Sequence, residues 1–351
     1  MVSLSGDIPG RDIYFGLVPG DLPTISESEF DMRTNRLLLH AVRSLRVGID
    51  SFLARYDSSR VAIVLGASNT GIDEAQRNVD RWLDKGAKPS EMQFSQIELG
   101  TPTDYLKRLL GVKGPAYTVS TACSSSTKAF AAARRLMEMG IVDAAIVGGV
   151  DGRCRFAMNG FHALGALAQG RCRPLAEDRD GINLGEGVAL FTLEKGEKVE
   201  RGERVGVCLA GCGESSDAYH ATAPDPEGRG AEAAMRAALV DAGMTASDIA
   251  YVNLHGTGTQ ANDAMEMKAV GRVFNLQESA ATPPFDLSGV RPVIESTKSM
   301  TGHCLGAAGA IEAAICWLYI SSGHVKGPAM SNSFAFGGSN ASVILAPWEA
   351  K

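Results

Sequence analysis

Short apolar runs that end in glycine, separated by stretches with helical spacing, set the pattern of this chain. Residues 60–68, RVAIVLGAS, and 143–151, DAAIVGGVD, are β-branched and apolar without strict alternation. That is the pattern of strands buried on both faces and running into loops. Residues 231–243, AEAAMRAALVDAG, carry apolar positions at helical spacing and close on a glycine, which predicts an amphipathic helix. Residues 249–259, IAYVNLHGTGT, return to the plan of a strand followed by a glycine loop. Strands separated by helices predict an α/β protein with a largely parallel sheet built from crossover units. Residues 274–291, FNLQESAATPPFDLSGVR, read instead as a surface excursion.

One junction stands out. Residues 117–140 read YTVSTACSSSTKAFAAARRLMEMG. From Ser124 the spacing turns helical, with Phe130, Ala133, Leu136 and Met137 near one face and Gly140 as a stop. Cys123 therefore falls where a strand meets a helix N-terminus. A thiol there feels the positive end of the helix dipole and unpaired N–H groups, both of which favour thiolate. The same N–H groups could hold an oxyanion after attack on a carbonyl. A small buried hydrophobe is the competing reading of the position.

Two later stretches bear on that choice. NLHGTGTQANDAMEMKA (253–269) puts His255 directly after a strand, with Asp263 and Glu266 in the helix that follows. ESTKSMTGHCLGAAGAIEAA (295–314) sets Lys298 and His303 five residues apart in a glycine-bounded loop before a helix of small residues. His40, His162, His220 and His324 have no such frame.

Composition narrows the functional classes. The 351 residues are 45% hydrophobic with 40 glycines and few aromatics, which suits a large, tightly packed core. A net charge of −6 without a basic run gives no support for nucleic-acid binding. The N-terminus, MVSLSGDIPG, lacks the basic flank and apolar core of a signal peptide. The most continuous apolar stretch, 307–320, is interrupted by Glu312 and is too short for a membrane span. Seven cysteines (123, 154, 172, 208, 212, 304 and 316) in no CxxC spacing indicate neither a zinc site nor a disulfide framework, so no metal is expected and a reducing cytoplasm is.

Taken together, TACSSS with Cys123, HGTGT with His255, KSMTGH with Lys298 and His303, RPLAEDRDGINLGEGVALFTLE (173–194) and NSFAFGGSNA (332–341) carry a resemblance. From about residue 61 onward the chain resembles the elongating-type β-ketoacyl-acyl carrier protein synthases of the thiolase-like superfamily. The resemblance implies an α/β fold of two related halves, layered α-β-α-β-α, with the nucleophile in 1–195 and the histidines and lysine in 196–351. It implies a decarboxylative Claisen condensation with no intrinsic cofactor, the phosphopantetheine arriving on an acyl carrier protein.

Residue by residue, the resemblance makes Cys123 the nucleophile and gives the oxyanion hole to the backbone N–H groups of Cys123 and Phe336. His255 and His303 donate to the malonyl thioester carbonyl, and Lys298 holds local electrostatics through Glu266. Thr257 and Thr259 meet the pantetheine arm, and Asp263 steadies the His255 loop. Phe334, Phe336, Gly337 and Gly338 form a gating loop. Carrier docking needs basic groups, for which Arg33 and Arg36, then Lys107 and Arg108, are the candidates.

The chain departs from the family pattern in places. Ala335 stands between the two phenylalanines where many relatives have glycine, and Ser339 replaces the more common threonine. No opening strand is evident before residue 20, as though the N-terminus were trimmed, and the 322–331 link is shorter than expected. The stretches 32–41, 213–239 and 332–342 are most similar to ketosynthases of aryl-polyene pathways, which implies a homodimer or a heterodimer with a paralogous chain-length-factor-like subunit. The alternatives are an ordinary fatty-acid elongation synthase and a non-catalytic partner subunit. A degradative thiolase or priming enzyme would need a second catalytic cysteine or a His–Asn pair, and neither is seen.

Overall fold

The computed structural model describes residues 1–86, 93–196 and 206–348. Its first mixed sheet follows the apolar runs. β3 (Val61–Gly66) is central and fully buried, flanked in parallel by β4 (Ala116–Val119) and β5 (Ala144–Asp151), and β7 (Gly187–Glu194) closes the sheet antiparallel to β5. The second sheet repeats the plan. β9 (Tyr251–Asn253) lies between parallel β10 (Val293–Glu295) and β11 (Ala329–Ala335), β12 (Ser339–Pro347) runs antiparallel to β11, and β8 (Val207–Ser216) is added antiparallel to β12. The largely parallel sheet expected from the sequence is thus parallel at its centre and antiparallel beyond it. Segments joined by short turns, such as β11 to β12, pair as hairpins because no crossover helix fits between them.

Two helices fill the space between the sheets. α4 (Ser125–Glu138) follows β4, and α10 (Ala308–Ser321) follows β10. Phe130 and Met137 of α4 and Ala310, Ala313 and Cys316 of α10 share one core with Val64, Val147, Val343 and Leu345 from both sheets. Small residues make that crossing possible: a Cβ on Gly309 would collide with the Thr127 hydroxyl. α10 is apolar nearly all round: its first half is buried between the sheets, while Trp317 and Leu318 near its end are exposed.

The outer faces are covered by α1 (Arg33–Leu53) and α3 (Thr101–Leu110) on the first sheet and by α6 (Arg229–Ala242) and α7 (Gln260–Phe274) on the second. The order is α-β-α-β-α, as the resemblance implies.

The segment before residue 20, where the sequence shows no strand, does form strands. β1 (Val2–Ile8) and β2 (Arg11–Gly16) form a hairpin before residue 20, extended by the short parallel β6 (Leu184–Gly185). β1 is mostly exposed, so its sequence carries polar residues rather than an apolar run. Residues 322–328 bridge α10 and β11 without strain, the turn being closed by bonds from Gly323 N to Ile320 O (3.0 Å) and Val325 N to Tyr319 O (2.9 Å). The 274–291 excursion contains one short helix, α8 (Glu278–Ala281), and Phe285, Leu287 and Val290 pack partly against the core below α7.

Candidate active site

Cys123 sits in the turn between β4 and α4. Ala122 before it takes a left-handed conformation, φ 52°, which disfavours any side chain and turns the sulfur inward. The hydroxyl residues around it hold that turn. Ser125 Oγ accepts from Thr121 N (2.9 Å) and donates to Ala122 O (2.5 Å), while Ser124 Oγ donates to Thr121 O (2.9 Å) and lies 3.1 Å from Ser339 Oγ. Ser126 Oγ accepts from Ala310 N (2.9 Å), joining the two central helices. Gly66 lets α4 begin against β3, since a Cβ there would meet the Ser126 backbone.

The sulfur faces two imidazoles. His303 Nε2 lies 2.8 Å from Cys123 Sγ, and the His255 ring stands edge-on to His303 with centroids 5.2 Å apart. His303 reaches this place because its N–H donates to Asn183 O (2.7 Å) and its carbonyl accepts from Gly185 N (3.0 Å). The expected thiolate is corrected here: burial pushes the Cys123 thiol up to about 12, with the Lys298 charge and the Phe336 backbone N–H opposing it. Burial outweighs the helix dipole because the sulfur is almost wholly enclosed. Burial also holds both histidines well below their ordinary value, helped by the nearby Lys298 charge. The resting site is therefore a neutral thiol beside neutral imidazoles.

Lys298 is fully buried, and its partner is Glu312, not the Glu266 expected from the sequence. Its ammonium also donates to His255 O at 2.5 Å. Glu266 instead accepts from the backbone N–H groups of His255 and Gly256, both at 2.7 Å, and so fixes the turn that presents the imidazole. Burial raises Glu266 to about 8, against those two donors. Glu312 was missed as a site residue although it carried a signal: it is the only acid in the apolar run of α10.

The loop after His255 is held from below. Asp263, fully buried, accepts from Gly258 N (3.1 Å) and Leu175 N (2.8 Å), and its carboxylate lies 3.6 Å from the Arg179 guanidinium. It thereby ties the 172–182 loop to the HGTGT turn. Thr259 Oγ1 caps α7 by accepting from Asn262 N (3.3 Å) and lies 3.0 Å from Thr257 Oγ1. Both threonines line a cavity of about 380 Å³ that also contains Cys123, His255 and His303.

Phe334 and Phe336 line the same cavity. Phe334 stands edge-on to His255 at 6.3 Å, and the half-exposed Phe336 ring stacks on Phe161 at 5.5 Å. Gly337 and Gly338 take φ 80° and 71°, which only glycine adopts without strain. They are tied to the facing loop, Gly337 N donating to Ala221 O (2.8 Å) and Gly338 O accepting from Asp217 N (2.9 Å). Asn340 Nδ2 donates to Asp217 Oδ1 (2.7 Å). Phe161 and Asp217 were not singled out from the sequence, where no local pattern marks either.

The docking candidates are not drawn to the cavity. Arg33 is paired with the buried Glu186, to which its Nε donates at 2.5 Å, and Glu186 also accepts from Val18 N and Arg153 N. Arg36 forms a two-point pair with Asp31 at 2.6 and 2.7 Å. Arg108 is exposed, 3.6 Å from Glu27. The donor atoms of Cys123, His255 and His303 lie within 4.8 Å of one another and are the one such cluster among the described residues. The Nδ1 atoms of both histidines lack the acceptor that orients a metal-bound imidazole, so the set does not fit a metal centre.

A buried cysteine at a helix N-terminus, facing two neutral imidazoles across an apolar cavity in a repeated five-layer fold, defines an acyl-transferring enzyme. Residues 33–199 match the beta-ketoacyl synthase N-terminal domain and residues 207–329 the beta-ketoacyl synthase C-terminal domain. The chain belongs to the β-ketoacyl synthase family.

Among its relatives, nodulation protein E of Rhizobium sp. (strain N33) is 33% identical over 320 residues, 88% of this chain and 76% of that one. The 3-oxoacyl-[acyl-carrier-protein] synthase 2 of Staphylococcus aureus (strain N315) is 33% identical, covering 91% of this chain and 83% of its own. The ketosynthase ApeO, solved in complex with its chain length factor ApeC from Xenorhabdus doucetiae, superposes with a TM-score of 0.87 at 39% identity, covering 99% of this chain and 90% of that chain. The fold expected from the resemblance is thus the fold observed.

Proposed function

We infer that this chain catalyses the decarboxylative condensation of malonyl-carrier protein with an acyl group held on Cys123. The observation that carries the reading is the 2.8 Å contact of His303 Nε2 with Cys123 Sγ, with His255 beside it in one cavity. In the first half-reaction the sulfur attacks the thioester carbonyl of an acyl-phosphopantetheine and its proton passes to the neighbouring imidazole. The N–H groups of Cys123 and Phe336 receive the developing oxyanion, and the pantetheine thiol leaves with a proton. In the second, the malonyl C–C bond to the carboxylate breaks, releasing carbon dioxide. The electron pair becomes an enolate whose oxygen takes hydrogen bonds from His255 and His303. The carbanion then attacks the acyl-cysteine carbonyl, and the C–S bond breaks with its electron pair on the sulfur, which takes up a proton from solvent to restore the Cys123 thiol.

Lys298 acts through others. Burial keeps both imidazoles neutral, the Lys298 charge adds to that effect, and the ammonium grips the His255 carbonyl. Thr257 and Thr259 receive the pantetheine arm, and Asp263 and Glu266 position the His255 loop. Phe334, Phe336, Gly337 and Gly338 gate the acyl cavity. Arg33 and Arg36 are held in close carboxylate pairs, whereas Arg108 is more exposed and only loosely paired, so carrier docking is assigned to Arg108 with Lys107 beside it.

The division into halves at 195/196 is supported by the two domain matches and by the repeated strand order. β4 is a free edge of the first sheet among the described residues, which suits pairing with a second subunit. The likeness to a ketosynthase solved with a chain length factor supports a heterodimer with a paralogous subunit and, with the motif likeness, extension of an aryl-polyene chain. No described helix is long and apolar enough to cross a membrane, in keeping with a cytoplasmic site of action on a carrier protein. Mass spectrometry of the purified protein, offered malonyl-carrier and a series of acyl-carriers, tests the reading. Acylation at Cys123 followed by a two-carbon-longer β-ketoacyl product is expected, and an unmodified Cys123 with every donor refutes it.

A further inference from the structure

Both histidine turns rest on one short stretch of backbone. Gly181 N donates to Gly258 O of the HGTGT turn (3.0 Å). Further along, Asn183 O accepts from His303 N (2.7 Å) and Gly185 N donates to His303 O (3.0 Å). These layers meet backbone to backbone. A Cβ on Gly258 would come within 2.7 Å of Gly181 O, and one on Gly302 within 2.5 Å of Leu184 O. Residues 181–185 therefore act as a ruler, whose placement sets how far apart the two imidazoles are held, 5.2 Å between ring centroids.

Asn183 is the polar side chain in that ruler. Ile182 and Leu184 on either side belong to an apolar cluster with Leu167 and Leu305, and Asn183 is itself only 3% exposed. A primary amide so deeply buried is costly unless both its ends are paired. Both are: Nδ2 donates to Gly170 O (2.9 Å) and Oδ1 accepts from Cys172 N (2.7 Å). Cys172, also buried, carries the hold onward. Its Sγ donates to Lys298 O (3.4 Å), at the start of the turn that ends in His303, and a Cβ on Gly258 would lie 3.6 Å from its own. The 170–172 loop thus touches both histidine turns, and the Asn183 amide pins that loop to the ruler.

We propose that Asn183 is a positioning residue for the condensation. Its carbonyl holds His303 directly, while its side-chain amide locks residues 181–185 to the 170–172 loop and, through Cys172, to the carbonyl of Lys298. The spacing of the two imidazoles is thereby fixed before malonyl-carrier arrives. This inference rests on the reading of His255 and His303 as donors to the enolate oxygen. That oxygen needs both at hydrogen-bonding distance at once, so a small displacement of either slows the reaction steeply. Asn183 and Cys172 stand outside the cavity lining, and both act through the turns they hold.

Carbon dioxide release from malonyl-carrier by the full chain, scaled to the folded fraction, tests the proposal together with magnetic resonance of nitrogen-labelled histidine rings. Asn183→Leu, of similar size but without the amide, should lower kcat about 10- to 100-fold while KM stays within about twofold of wild type. Cys172→Ala should lower kcat about threefold, and the double variant should be no slower than Asn183→Leu, because the two residues act in series. The ring signals of His255 and His303 should shift in both single variants while those of His40, His220 and His324 stay in place. Release at the wild-type rate by folded Asn183→Leu would overturn the proposal. So would losses that multiply in the double variant, or equal shifts of all these ring signals, which a general loosening of the fold produces. If Asn183→Leu does not fold, Cys172→Ala decides alone: unchanged release with unshifted His255 and His303 signals overturns the proposal. A wild-type protein that releases no carbon dioxide overturns the reading of the site itself, and this inference falls with it.

Discussion

Cys123 and His303 occupy equivalent places in the two halves: each follows an edge strand of its sheet, β4 or β10, and precedes the helix that enters the central layer, and their reactive atoms lie 2.8 Å apart. The fold brings two helix starts nose to nose, and the chemistry occurs where they meet. Replacing the sulfur should therefore separate the half-reactions. Cys123→Ser should lose acyl-enzyme formation by about 1,000-fold or more, because a hydroxyl beside a neutral imidazole is a far weaker nucleophile. Cys123→Gln should still release carbon dioxide from malonyl-carrier, since that step uses the histidines. Intact-mass measurement and carbon dioxide release check the two outcomes separately.

Burial sets how that sulfur responds to pH. With the thiol pushed up to about 12, alkylation by iodoacetamide should keep rising through pH 9 and 10, about tenfold per unit, without the plateau an exposed cysteine reaches near 9. A plateau at neutral pH would instead mean a thiolate–imidazolium pair at rest. Rate constants from mass spectrometry, over a pH range where the far-ultraviolet circular dichroism is unchanged, decide it.

The histidines make an opposite contribution at acid pH. Both are held well below 6.5 in the folded protein, so as pH falls through 6.5 the unfolded chain binds protons that the native state refuses. Their contribution to stability is full above about pH 6.5 and is lost below it, at about 1.4 kcal/mol per histidine per pH unit. Glu266, raised to about 8, works the other way, being easier to keep folded as pH falls. The difference between wild type and His255→Asn isolates the histidine. Urea unfolding at pH 7.5 and 5.5 should show a smaller loss of stability in the variant.

Much of this arrangement was legible before any coordinates. The fully buried strands β3 and β5 were readable because strands covered on both faces leave continuous apolar runs, and the site residues were readable from their junctions: Cys123 among small hydroxyl residues before a helix, His255 and His303 in glycine-framed loops. The exposed β1 left no such run, and the antiparallel edges depend on which strands meet, which periodicity does not encode. The Lys298 partner was misassigned for a similar reason. Glu266 lay in the nearest motif, while Glu312 is brought to the ammonium only by the packing of α10. The interruption it makes in an apolar helix was the visible trace of a buried charge awaiting a partner.

That pair supports its own test. Removing one member strands the other in a dry interior, so Lys298→Met or Glu312→Leu alone should destabilise by about 3–5 kcal/mol. The double variant Lys298→Met/Glu312→Leu should recover much of the loss, because no charge is then left unpaired. Its stability should return while its condensation rate stays low, since His255 loses the grip on its carbonyl and a charge that helps burial keep it neutral. Denaturant unfolding and turnover, measured on all four members of the cycle, separate the structural effect from the positioning one.

Ala335 offers a last handle, on the gate. It ends β11 in an ordinary extended conformation, φ −100° and ψ 158°, so its methyl strains nothing in the closed arrangement. A backbone movement that carries Phe336 away from Phe161 breaks the bonds from Gly337 to Ala221 and from Asp217 to Gly338 and turns the backbone just after Ala335. A side chain there narrows the range of φ the hinge can visit, whereas glycine widens it. Ala335→Gly should accordingly lower stability by about 0.5–1 kcal/mol, through the freer unfolded chain, while speeding acylation of Cys123 by long or stiff acyl donors. Short donors, which need little opening, should gain less. Single-turnover acylation followed by mass spectrometry across donors of increasing length checks the difference, and a uniform change at all lengths would place the hinge elsewhere in the loop.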